Sequence, residues 1–202
     1  MAIVHITGAS GSGKTTLIRH LEDIIQGSSL IFDFDDISDR FALKLLKEAK
    51  YISNISKGEF NSFYKELDQL INQWFAKIIK NAEKNNIKFI IIGGISIPTH
   101  FKPKYKFIIN APRETIYRNV SERTLESICT NKKQISSLIK SKTHPDIIKL
   151  ICFHKYKLRQ NFIEGYHQYD EDYTNFYKDY KLMGYSLLDS KKIAKKIVKL
   201  VG

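Results

Sequence analysis

Ala2-Ile3-Val4-His5-Ile6-Thr7-Gly8-Ala9-Ser10-Gly11-Ser12-Gly13-Lys14-Thr15 is the stretch that decides how this chain folds. Ala2–Thr7 is a short apolar run that stops at a glycine, which reads as a buried strand. No basic segment stands ahead of it, so it does not read as a secretory leader. Beyond it the apolar period changes. Leu17, Ile18, Leu21, Ile24 and Ile25 share one side of a helix expected over Thr15–Gln26, which Gly27-Ser28-Ser29 breaks. Between strand and helix, Gly8–Thr15 satisfies the spacing G-x-x-x-x-G-K-[ST] without a mismatch. The glycines let the backbone curl so that successive N–H groups converge on anionic oxygens. The start of the helix adds a partial positive charge at the same place.

That pattern predicts a triphosphate ligand, ATP with Mg²⁺. Gly8, Ala9, Ser10, Gly11, Ser12, Gly13, Lys14, Thr15 and Thr16 would surround its phosphates. Lys14 would reach the β- and γ-phosphates, and the Thr15 hydroxyl would ligate the metal.

Outward from this loop, apolar strands alternate with helical segments. Strands are expected at Leu30–Phe34, Ile87–Ile92, Tyr105–Asn110 and Tyr185–Leu188. A long helical stretch, Ile37–Asn86 with a break near Asn54–Gly58, keeps Phe63, Leu67, Leu70, Ile71, Trp74, Phe75 and Ile78 at helical spacing, as a core face does. Pro112 suits the first turn of another helix. Residues 131–182 read as mostly helical with a break at Thr143-His144-Pro145, and Ser190–Val201 as a closing helix with Ser190 as its cap. Such alternation implies an α/β fold with a mainly parallel sheet covered on both faces.

The 202 residues suit a single domain, with 43% apolar residues to build a core and no apolar run long enough for a membrane span. Two helical insertions are expected within it, at 37–86 and 124–182. Cys129 and Cys152 are too few for a disulfide framework or zinc site, so a reducing, cytoplasmic setting is the default expectation. The net charge of +12 is lopsided: residues 1–100 hold 12 Lys/Arg against 11 Asp/Glu, and residues 101–202 hold 21 against 10. Such an excess can attract phosphates, nucleic acid or an anionic membrane, or be a lysine-rich solvated surface.

Asp33-Phe34-Asp35-Asp36 follows the second strand, at the sheet end where open α/β folds bind ligands. Strand alternation would set Asp33 and Asp35 on one side and Phe34 on the other. Phosphoryl transfer needs a carboxylate in the metal shell and often another to accept a hydroxyl proton. Asp33 is the candidate for the first task and Asp35 for the second, with Asp36 opening the next helix.

These features together resemble the P-loop small-kinase superfamily of nucleoside monophosphate kinases, shikimate kinase and gluconate kinase, with nicotinamide riboside kinase, chloramphenicol phosphotransferase and the polynucleotide 5′-hydroxyl kinases. The resemblance implies a three-layer P-loop fold with a five-stranded parallel sheet in the order 2-3-1-4-5. It also implies that Asp33-x-Asp35 is similar to the D-x-D of shikimate kinase, with Asp33 serving magnesium and Asp35 the acceptor hydroxyl. Gly93 and Gly94, at the end of a strand without a Walker B acid, would meet the acceptor through their backbone, as in shikimate kinase. Arg118 and Arg123, after Tyr105–Pro112, look like the arginines at the edge of a lid, where a planar guanidinium grips phosphate oxygens. Arg159 is a third such candidate. Arg40 is the only arginine in the first insertion and the candidate for an acceptor phosphate. Gly184–Ser190 is similar to the strand and loop that hold the adenine.

Three functions compete on these residues. The first is a small kinase acting on a nucleotide-like or small hydroxylated acceptor, with Lys14, Asp35 and Arg123 as its catalytic groups. The second is a polynucleotide 5′-hydroxyl kinase, in which basic charge and Tyr156, Tyr166, Tyr169, Tyr173, Tyr177 and Tyr180 hold a single strand, although Asp170-Glu171-Asp172 interrupts them. The third is a P-loop nucleotide binder without chemistry. A GTPase is disfavoured because Thr130-Asn131-Lys132-Lys133-Gln134 lacks the acid of N-K-x-D, and a motor because the Walker B acid is missing.

Overall fold

A computed structural model describes residues 1–47, 57–94, 97, 101–112, 115–116, 118–119 and 174–202. The apolar runs of the sequence become β1 (Ala2–Thr7), β2 (Ser29–Asp33), β3 (Phe89–Gly93), β4 (Tyr105–Ile109) and β5 (Ser186–Leu188). They form one sheet in the order β2-β3-β1-β4-β5. Each neighbouring pair is parallel. The expected order 2-3-1-4-5 is therefore the observed one.

Helices α1 (Lys14–Ile24), α2 (Phe34–Lys47) and α3 (Lys57–Lys84) connect the first three strands. A further helix is described over 174–182, and another spans Ser190–Val201. Strand alternation divides the core between the two faces. On one face Val4, Ile6, Ile91, Phe107 and Ile109 meet Leu17, Ile18 and Leu21 of α1 and Ile193, Ala194 and Ile197 of the Ser190–Val201 helix. On the other, Ile90 and Ile92 meet Leu45 of α2 and Leu67, Ile71 and Phe75 of α3, with Phe63, Leu70, Trp74 and Ile78 packed around them. The aromatics of α3 are thus core, as their spacing predicts. Burying one such side chain contributes about 2 kcal/mol.

Four local expectations need correction. Ile24 stands 44% exposed, because α1 ends there and Ile25 turns to extended backbone. Ser190 is the first helical residue, and Asp189 is the cap: its extended backbone lets the carboxylate accept the Lys192 N–H at 2.8 Å. β2 ends at Asp33, and Phe34 already opens α2, so strand alternation does not reach Asp35. The cause is local: Asp33 Oδ1 accepts the Asp35 backbone N–H at 3.1 Å, which turns the chain into the helix, while Phe34 stacks on Phe75. Residues 57 and 58, placed in a break from the sequence, lie within α3. Of the 124–182 insertion, only 174–182 is described, as helix. Cys129, Cys152 and the break at Thr143-His144-Pro145 lie outside the described residues.

Candidate functional site

The loop between β1 and α1 follows the central strand, and its shape depends on glycine. Gly11 has φ 80° and Gly13 φ 91°, in the left-handed region that side chains disfavour. A β-turn closes inside the loop where the Ser12 N–H donates to Ala9 O at 3.1 Å. Gly13 caps α1 through its backbone alone. Gly8 has a different reason to lack a side chain: a Cβ there would collide with Ser12 Oγ. The first N–H groups of any helix have no acceptor within it, so this loop presents donors at a positive helix end, a setting suited to an anion.

Lys14 is 7% exposed and sits in the first turn of α1. Its Nζ donates to Gly8 O at 2.9 Å and Ala9 O at 3.3 Å, which holds it against the first residues of the loop. Ser12 is also buried, and its Oγ has no partner. Ser10 and Thr16 are exposed and Ala9, Gly13 and Thr15 half-buried, so the loop borders both solvent and core.

Thr15 opens onto a cleft of about 170 Å³ between α1 and α2 over the end of β2. Ile18, Ile31, Phe32 and Ile37 supply its apolar walls, and Arg19, Glu22, Asp33, Asp36 and Arg40 its charges. Three residues chosen from sequence, Thr15, Asp33 and Arg40, therefore share one cavity. Asp35 does not line it and Asp36 does, because one helical step separates the two side chains. Asp33 Oδ1 is occupied by the Asp35 N–H, while Oδ2 is buried without a partner. A buried carboxylate oxygen lacking a donor is costly unless a cation or a hydrogen bond meets it. An oxygen-only pair such as Asp33 and Thr15 suits a hard cation like Mg²⁺, which takes one or two protein ligands and completes its shell with phosphate and water. The described residues contain no group of three or more His, Cys, Asp or Glu that could hold a metal by themselves.

Gly93 and Gly94 are both buried. A Cβ on Gly93 would lie 2.8 Å from Ile18 Cδ1 and closer still to Cγ1, so the bare glycine lets α1 approach the sheet. The Gly94 N–H donates to Ile6 O at 3.0 Å, and its carbonyl accepts from His5 Nε2 at 3.2 Å. Arg118 is exposed on the helical turns after Pro112 and lies outside the cleft. Arg123 and Arg159 lie outside the described residues, as do Tyr156, Tyr166, Tyr169 and Tyr173.

Sequence reasoning missed two residues. Asn119, one position after Arg118, donates through Nδ2 to Gly11 O at 2.8 Å. His5, in β1, is 1% exposed and bonded at both ring nitrogens: Nε2 to Gly94 O, and Nδ1 to the Tyr185 hydroxyl at 2.5 Å. A carbonyl oxygen only accepts, so Nε2 carries the proton and Nδ1 accepts from Tyr185. Burial lowers the His5 pKa to about 4, the Gly94 carbonyl opposes the shift, and nearby Lys106 adds to it. Burial, with Tyr180 beside it, pushes Tyr185 up to about 12. Tyr180 packs edge-on against Tyr185, while Lys106 lies over the Tyr185 ring and donates to Met183 O. Tyr177 is buried, and its hydroxyl donates to Ile109 O at 2.9 Å. The two described tyrosines of the proposed stacking set thus pack within the protein.

No helix among the described residues is long and apolar enough to cross a membrane. Comparison with protein-family models and with curated proteins gives no match, so the functional reading rests on the glycine loop and the charged cleft beside it.

Proposed function

We propose that this protein is an ATP-dependent phosphotransferase, a small kinase acting on a nucleotide-like or small hydroxylated acceptor. One observation carries the reading. The left-handed Gly11 and Gly13 shape a loop at the start of α1 whose Gly8 carbonyl holds the buried Lys14 Nζ, and Thr15 and Asp33, which has an unpartnered carboxylate oxygen, share the adjoining cleft. The loop N–H groups and Lys14 would bind the phosphate chain. Magnesium, when held by Thr15 and Asp33, would neutralise charge on the phosphate oxygens. Asp35 would take the proton of the acceptor hydroxyl as the new O–P bond forms and ADP departs. Arg40, exposed and lining the cleft, suits an anionic group on the acceptor.

A second assignment of the base is favoured by a specific observation: Asp36, not Asp35, lines the cleft with Asp33. Asp35→Asn and Asp36→Asn distinguish the two. ADP release is measured against a panel of nucleosides, monophosphates and sugar acids, alongside calorimetric titration with MgATP. The variant that loses turnover but keeps ATP affinity identifies the base. Full activity in both removes a carboxylate base from the mechanism, and absence of MgATP binding by the unaltered protein removes the kinase reading altogether.

A further inference from the structure

The geometry points to Asn119 as a positioning residue of the phosphate-binding loop, an inference that rests on the kinase reading for its ligand but not for its geometry. The Gly11–Ser12 peptide is planar, so its C=O and N–H point in opposite directions. Both ends are tied: the carbonyl accepts from Asn119 Nδ2 at 2.8 Å, and the N–H donates to Ala9 O at 3.1 Å. Flipping this peptide would break both bonds at once. It needs such a hold, because glycine at φ 80° has wide backbone freedom and Gly13, at φ 91°, caps α1 without help from a side chain.

Asn119 reaches the loop from the helical turns after Pro112, 108 residues further along the chain. Those turns begin where the Pro112 carbonyl accepts the Thr115 and Ile116 N–H groups, just beyond β4, which pairs with β1. The loop is therefore fastened at its own strand and again from beyond the neighbouring strand. Asn119 donates to a carbonyl, on the opposite side of the peptide from the N–H, and so shapes the cradle without occupying it. A preset loop binds phosphate with less ordering cost.

The test uses the full chain with Asn119→Asp, which keeps the shape and removes the donor, and Asn119→Ala. ADP and a non-hydrolysable ATP analogue should each bind about fivefold more weakly to Asn119→Asp, the effect of one net hydrogen bond. Adenosine should bind as to the unaltered protein, a split that general loosening of the fold would not produce. In Asn119→Ala, the Ser12 amide should exchange its hydrogen about fivefold faster, read without any nucleotide. Unchanged nucleotide affinity together with unchanged Ser12 exchange overturns the inference, and so does equal weakening for adenosine and ADP. If the unaltered protein binds no nucleotide, the kinase reading falls while Ser12 exchange still decides whether Asn119 holds the loop.

Discussion

Two buried polar regions lie beside the central strand, and they are built in opposite ways. His5 sits within β1 with both ring nitrogens bonded, and its burial excludes the charged form. Lys14 is almost as buried, but its Nζ donates to the carbonyls of its own loop, which also contains the unpartnered Ser12 Oγ and adjoins, through Thr15, the cleft where Asp33 Oδ2 is unpartnered. A closed polar group with every partner inside the protein serves the fold. A buried amine in a loop with unsatisfied atoms around it is where a ligand would complete the bonding. The contrast explains why His5 gave no functional hint despite its chemistry, and why the loop gives one before any ligand is considered.

The sharpest way to break this contrast is to remove each group in turn. Lys14→Ala should weaken MgATP binding about 1000-fold in calorimetry, because charge-assisted bonds to phosphate are lost. Its thermal midpoint should move less than that of His5→Phe, which leaves Tyr185 and Gly94 without their partner. The reverse pattern would mean that the two regions have been assigned the wrong way round.

Acid is the next test. The folded pKa of His5 is depressed from 6.5 to about 4, so the unfolded chain binds more protons between those values. The contribution of neutral His5 is complete above about pH 6.5 and is lost as pH falls towards 4. Integrated over that window it amounts to about 3 kcal/mol. Denaturant unfolding should show the decline, and His5→Gln, which cannot titrate, should flatten it. A slope unaltered by that substitution would mean that other groups govern acid sensitivity.

The smallest expected effect sharpens the packing on the loop side. Gly93→Ala places a methyl against Ile18, which is 1% exposed and has nowhere to retreat. A loss of about 2 kcal/mol is expected, partly restored by Ile18→Val, both read from denaturant midpoints. If Gly93→Ala instead leaves stability intact and impairs turnover, the glycine serves the acceptor, as the kinase resemblance implies.

Much of the fold was legible because its signals are local. Val4, Ile6, Ile90, Ile91 and Ile92 announce buried strands by composition, and Leu67, Ile71 and Phe75 announce a helix by spacing. The glycine loop was legible for the same reason, since its turn chemistry lies within eight consecutive residues, Gly8–Thr15. Asp35 was misplaced because Asp33 starts α2 one residue earlier than an apolar run extending through Phe34 suggests. Asn119 and His5 were invisible for a different reason. Their partners lie 108 and 180 residues away, and nothing in an isolated asparagine or histidine tells where the sheet will bring it.

The strand that leads into the glycine loop is the first described, yet its partners come late. Ala2 pairs with Phe89 and Val4 with Tyr105, so the centre of the sheet cannot close until two distant stretches have been made. Until then Ile3, Val4 and Ile6 have no strand beside them, and the chain carries an unsatisfied, aggregation-prone edge. Pairings this far apart slow folding. The glycine loop that β1 leads into should therefore be held in place only once those pairings form, and synthesis conditions that delay the emergence of β3 and β4 should reduce the yield of native protein more than they would for a helical bundle of the same length.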